Sequence, residues 1–159
     1  MSKGLTYIEY SLAFLSLATM AIIAFTNVLS RFFLNYSLAF TEEITVNLFV
    51  LLTFIGASIG VKRGAHLGFS GIYDATRGQL KVFITVIISL LLIVFFTTLV
   101  YFGTEMVLHQ MERNRMTPAL GWPQWIFTSM MPLGALLCIF RTIESSIQTI
   151  KVIRSGEGE

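Results

Sequence analysis

The chain has 159 residues, of which 55% are apolar and only 13% charged, with a formal net charge of +2 at pH 7. Soluble domains carry about a quarter charged residues, so a water-soluble fold is excluded at once. So small a net charge, with no long basic run, gives no basis for a nucleic-acid partner. The single cysteine, Cys138, rules out an intrachain disulfide.

Counting His as neutral, charges are absent from 10–30, 44–61, 82–104 and 116–140, windows of 21, 18, 23 and 25 residues. As helices these windows reach roughly 31, 27, 34 and 37 Å, against a hydrocarbon core of about 30 Å. Helices of a soluble bundle would carry charges on their outer faces. The pattern predicts an all-α integral membrane protein, one four-helix domain with spans at about 9–33, 42–63, 80–108 and 122–150.

The first span mixes Leu, Ile and Phe with Ser16, Thr19, Thr26, Asn27 and Ser30. Lys3 precedes it as in a signal peptide, but the uncharged run is too long for one and no small-residue cleavage site precedes Arg31, so the segment is expected to be retained. The next stretch, SRFFLNYSLAFTEEIT from Ser30 to Thr45, places Arg31 at the end of the first helix and Glu42 and Glu43 at the start of the second. Both signs match the helix dipoles, and Thr41 or Ser37 is suited to cap the second helix. Two readings stay open: a solvated hairpin whose charges mark its ends, or an ion pair between Arg31 and Glu42 or Glu43 that sets how the hairpin meets another subunit.

The second span carries Asn47 and then GASIGVKRGAHLG, with Gly56 and Gly60 forming a GxxxG where another helix can approach closely. Gly64 and Gly68 continue the spacing but fall where a loop is expected, and His66 reads as a polar boundary residue. The segment HLGFSGIYDATRGQLK alternates apolar and charged residues and fits a short amphipathic stretch between helices 2 and 3 lying on the lipid surface. The third span is bulky and apolar all round, as a mainly lipid-facing helix would be. The fourth follows ALGWPQW, with Trp122 and Trp125 at aromatic-belt depth, Pro123 at the first turn and Pro132 placed to kink the helix. Cys138 reads as a small packing residue.

Four spans put both termini on one side. With the second loop, that side carries Lys3, Lys62, Arg63, Arg77, Lys81, Arg141, Lys151 and Arg154, against Arg31, Arg113 and Arg115 opposite. The positive-inside bias then predicts cytoplasmic termini.

His66 and His109 fall at opposite membrane faces and cannot share a haem, and no nucleophile or metal constellation is visible. The chain is therefore expected to be neither an enzyme nor a cofactor carrier. An autonomous proton-coupled carrier, working as an oligomer, needs an ionisable residue inside the bundle. Every acid that bears on this, Glu9, Glu42, Glu43, Glu105 and Glu144, sits at a window edge, and Glu144 is spaced to pair with Arg141 on one helix. A small subunit serving a larger membrane protein fits better, with the autonomous carrier as the alternative.

The order N-V-L-S-R-F-F at 27–33, T-E-E at 41–43, F-I-G-A at 54–57, K-R-G-A-H-L at 62–67, and W-P-Q-W followed by P-L-G at 122–134 resembles the small membrane (Q, or DctQ-like) subunit of tripartite ATP-independent periplasmic (TRAP) transporters. Phe40 stands where a tryptophan commonly precedes the acidic pair. The resemblance implies a scaffold in the bacterial inner membrane that embraces a large multi-span (M) subunit. That partner would carry the sodium and substrate sites, and a periplasmic binding (P) protein would deliver an organic acid. Sialic acid, another sugar acid and a C4-dicarboxylate all fit, with a lean toward sialic acid. No cofactor is implied in this chain, and its other partners are membrane lipids. Candidate structural or subunit-contact residues are Asn27, Arg31, Glu42, Glu43, Asn47, Gly56, Gly60 and His66. Reversing Glu43 should then weaken assembly, with rescue by reversal of Arg31 if those two pair.

Overall fold

A computed structural model describes residues 3–62 and 79–155. They form helices α1 (Lys3–Leu34), α2 (Ala39–Lys62), α3 (Gln79–Glu112), α4 (Gln124–Thr128) and α5 (Met130–Ser155). The expected amphipathic stretch, with His66, Gly64 and Gly68, lies outside the described residues. Four segments are long and apolar enough to cross a membrane: Thr6–Leu34, Ala39–Lys62, Leu80–Glu112 and Gln124–Ile153. Apart from one isolated backbone bridge between Met116 and Pro123, the described residues outside the helices are turns and extended links. The chain is all-α with four membrane-spanning segments.

The fourth span is two helices in line. Proline has no N–H to donate and its ring crowds the preceding turn, and the helix breaks at Ser129, just before Pro132. Ser129 bridges the break: its N–H reaches the Trp125 carbonyl at 2.9 Å, its hydroxyl donates to the Ile126 carbonyl at 2.6 Å, and its own carbonyl accepts from Leu133 N at 3.2 Å. The kink expected from Pro132 is thus a one-residue interruption on its N-terminal side.

The helices pack as a row rather than a closed bundle. α1 lies against α2, α2 against α5, and α5 against α3. The row is held by a stripe of small residues on α5. Ala135 and Cys138 are fully buried, and with Phe96 of α3 they form the core, flanked by Phe54, Ala57, Leu92, Leu99 and Val100. A methyl group added at Gly134 would lie 2.5 Å from Cβ of Phe54, so only glycine permits this approach of α5 to α2. Cys138 Sγ continues the contact toward the Phe54 carbonyl at 3.4 Å. On the other side, a methyl at Gly103 of α3 would meet the Pro132 ring at 3.2 Å. Ser89 of α3 and Ser146 of α5 share a hydrogen bond of 2.6 Å. Polar bonds between helices are worth about 0.6 kcal/mol on average in lipid, so close packing carries most of this contact.

A row leaves large apolar faces open. Phe14, Phe25 and Phe32 of α1, Phe49 of α2, and Phe83, Leu91 and Phe95 of α3 are all exposed. In water such continuous apolar surface would drive association; along membrane spans it meets lipid or another subunit. α1 is the least enclosed span and the fourth the most, with 6% and 33% of their most apolar windows buried.

Candidate functional site

Two polar assemblies hold opposite ends of the row. At the end away from the termini, α1 stops at Leu34, and Asn35 takes the left-handed conformation (φ 50°) common after a helix C-terminus. Asn27 Oδ1 accepts the Leu38 N–H at 3.0 Å, and Ser30 Oγ donates to the Tyr36 carbonyl at 2.9 Å. The polar positions of the last turns of α1 therefore satisfy the backbone of the link to α2. α2 begins earlier than a cap at Thr41 would allow. The Thr41 hydroxyl instead donates to the Leu38 carbonyl at 2.6 Å, and Asn47 Nδ2 donates to the Glu43 carbonyl at 2.7 Å.

The ion pair entertained for this hairpin is not formed: the ion pairs among the described residues involve His109 and Arg141, not Arg31. Arg31 and Glu42 are exposed. Glu43 turns the other way. Its Oε2 accepts the backbone N–H groups of Leu120 at 3.0 Å and Ala119 at 3.3 Å, tying the head of α2 to the link between α3 and α4. That link is itself compact: Thr117 N donates to the Trp122 carbonyl at 2.7 Å, and Trp122 N to Thr117 Oγ1 at 3.0 Å. The carboxylate thus clasps that link to the head of α2, and reversal of Arg31 has no geometric basis for rescuing a change at Glu43.

Near the termini lies an assembly that the charge-free windows concealed. Glu9 of α1 and Arg141 of α5 are each 1% exposed. Arg141 Nε donates to Glu9 Oε1 at 2.9 Å and Nη2 to Oε2 at 2.7 Å, a two-bond fork between guanidinium and carboxylate. Ser58 Oγ of α2 donates to Glu9 Oε1 at 2.6 Å. Arg141 Nη1 donates to Glu144 Oε2 at 2.5 Å, the helical pair read from spacing. Lys62 Nζ donates to Thr6 Oγ1 at 2.6 Å, closing the group between α1 and the end of α2. The expectation that acids stay at the surface therefore needs correction for Glu9. It lies about 9 Å along α1 from Lys3, and neighbouring helices enclose it. The fork and the serine satisfy both of its oxygens, the condition on which a buried carboxylate is tolerated. The cluster is suited to locking three helices together rather than to passing a proton, because its carboxylate is already committed to a fixed cation.

Among the described residues, the GxxxG pair has no partner. Nothing lies within 4 Å of a methyl built at Gly56 or Gly60. Val46, Phe49, Thr53 and Gly56 are exposed at helical spacing and form one stripe along α2 that runs on toward Gly60. The close approaches inside the chain fall instead at Gly134 and Gly103, which sequence reading passed over; the P-L-G-A-L-L-C run after the fourth-span proline was the available signal. Among the described residues, no three His, Cys, Asp or Glu side chains gather as a metal ion would require.

Four spans packed in an open row, with polar clasps at both ends and a stripe of α2 that no other described residue covers, define a multi-pass membrane protein with broad apolar faces. Residues 20–152 match the family model described as the DctQ component of tripartite ATP-independent periplasmic transporters. The chain belongs to that family. It is 33% identical over 138 residues to the ectoine TRAP transporter small permease protein TeaB of Halomonas elongata, covering 86% of this chain and 70% of that one. It is 27% identical over 109 residues to the C4-dicarboxylate TRAP transporter small permease protein DctQ of Rhodobacter capsulatus, covering 68% and 48%. A putative TRAP transporter small permease protein of Haemophilus influenzae is 26% identical over 141 residues, covering 89% and 86%. The chain is thus a TRAP small permease subunit, a multi-pass protein of the bacterial inner membrane, and its relatives are transporter subunits rather than enzymes.

Proposed function

We propose that this subunit acts as a membrane scaffold for a large, multi-span transport subunit, presenting the α2 stripe through Val46, Phe49, Thr53, Gly56 and Gly60 as the contact. The observation that carries the proposal is the open space over Gly56 and Gly60 on a helix flanked on two sides by its own chain. In lipid, helices associate through close packing at small residues, and this stretch of α2 remains unused. The large subunit holds the coupling sodium and the substrate, and a periplasmic binding protein supplies the latter. Both termini lie in the cytoplasm, so the Glu43 clasp faces the periplasm. The substrate class is a small carboxylate-bearing solute; the lean toward sialic acid gains no support from relatives whose names specify ectoine and C4-dicarboxylates.

The test is disulfide or photo-cross-linking from Gly56→Cys in membranes holding the whole transporter. Capture of the large subunit from position 56, with much weaker capture from a cysteine at the exposed Leu91 of α3, is the expected result. Capture only of lipid from position 56 would remove the contact assignment. Solute uptake by this chain alone in proteoliposomes would replace the scaffold with the autonomous carrier.

A further inference from the structure

A cavity of about 360 Å³ opens on the last turns of α3, at the membrane end opposite the termini. Small-molecule sites commonly fall between about 300 and 1,000 Å³. Its walls change character along the helix: Phe102 and Met106 toward the membrane interior, then His109 and Gln110, then Arg113 and Arg115 at the rim. From 102 to 113 the rise is roughly 16 Å, enough to pass from acyl chain to headgroup depth. The arginines are placed by a helix stop of defined geometry. Asn114 is left-handed (φ 46°), Arg115 N donates to the Gln110 carbonyl at 3.1 Å and Asn114 N to the Met111 carbonyl at 3.1 Å. This double closure fixes the backbone from which both guanidinium groups extend.

Gln110 is 3% exposed and closes the back of the wall. Arg113 and Arg115 bring two guanidinium groups to the rim, with Glu105 lower in the wall. Guanidinium groups suit phosphate geometry.

We propose that this cavity binds the phosphodiester headgroup of a membrane phospholipid, with Arg113 and Arg115 on the phosphate and an acyl chain along Phe102 and Met106. A lipid, rather than a protein side chain, is favoured because the apolar wall runs directly onto exposed, membrane-facing positions of α3: Met106 and Phe102, with Tyr101 beside them, are all more than half exposed. Basic pockets at membrane faces bind lipid headgroups by this combination of charge and apolar wall.

Native mass spectrometry of the delipidated full chain tests the assignment, using dipalmitoyl phosphatidylglycerol and the phosphate-free dipalmitoylglycerol as probes. The expected result is one retained phosphatidylglycerol, at least tenfold favoured over dipalmitoylglycerol, and lost in Arg113→Ala/Arg115→Ala. Both arginines are exposed, so that variant should keep wild-type helicity, which circular dichroism checks. Equal binding of the two probes, retention by the double arginine variant, or no bound lipid would overturn the proposal. So would photo-cross-linking from position 106 in the whole transporter that captures a polypeptide and not a lipid.

Discussion

At the level of single residues, Glu9 and Arg141 are the buried charges among the described residues. Removing one partner of a buried ion pair strands the other charge and typically costs about 3–5 kcal/mol. Glu9→Ala and Arg141→Ala should each destabilise the subunit on that scale, measured by unfolding in detergent. Glu9→Ala/Arg141→Ala should cost clearly less than the two single changes added together, since the one acid then left without Arg141, Glu144, is partly exposed rather than buried. Additive costs would mean that the fork does not form. Only part of this cluster was legible beforehand. The Arg141–Glu144 pair follows from a three-residue spacing on one helix. Glu9 and Arg141 are 132 positions apart, and each stands beside an uncharged window, where a charge facing lipid headgroups and a charge turned into the protein look the same. Glu43 teaches a similar lesson: its place at the head of α2 could be read, but its backbone partners at 119 and 120 depend on how the α3–α4 link folds toward the head of α2.

At the level of helices, the absence of charge over membrane-spanning lengths makes the four spans readable, because lipid imposes the same rule on every exposed face. The order of neighbours, α1–α2–α5–α3, was not readable in that way. Apolar residues look alike whether they meet lipid or protein, so periodicity does not mark the contact face. Glycine context separates the two roles only once the structure is known. Gly134 is closed by Phe54 and Gly103 by Pro132, whereas Gly56 and Gly60 are open. Gly134→Leu should therefore force α5 away from α2 and lower stability by about 1–3 kcal/mol, the usual range for overpacking, with loss of compactness in detergent. Gly56→Leu should leave the isolated chain's melting temperature within about a degree, because surface changes away from contacts are worth no more than about 0.5 kcal/mol. Equal destabilisation by both substitutions would show that the row of helices is wrongly ordered.

At the level of the whole molecule, an open row has two broad faces, whereas a closed four-helix bundle would turn one of them inward as its own core. The clasps at the two ends explain how such a thin assembly holds its shape without a thick core: Glu43 joins the head of α2 to the α3–α4 link on one side, and the Glu9–Arg141 fork joins α1, α2 and α5 on the other. The eight-to-three excess of basic residues on the side of the termini predicts that the Glu9–Arg141 fork lies toward the cytoplasm, and labelling can decide it. Cys138 is fully buried, so the native thiol should stay silent toward a membrane-impermeant maleimide and the chain serves as its own background. Tyr36→Cys, at an exposed position in the α1–α2 link, should label in intact cells. Lys151→Cys, exposed near the end of α5, should label only after the inner membrane is permeabilised. The reverse pattern would invert the topology, putting the Glu43 clasp in the cytoplasm and the Glu9–Arg141 fork near the periplasmic face, away from any partner that docks on Glu43.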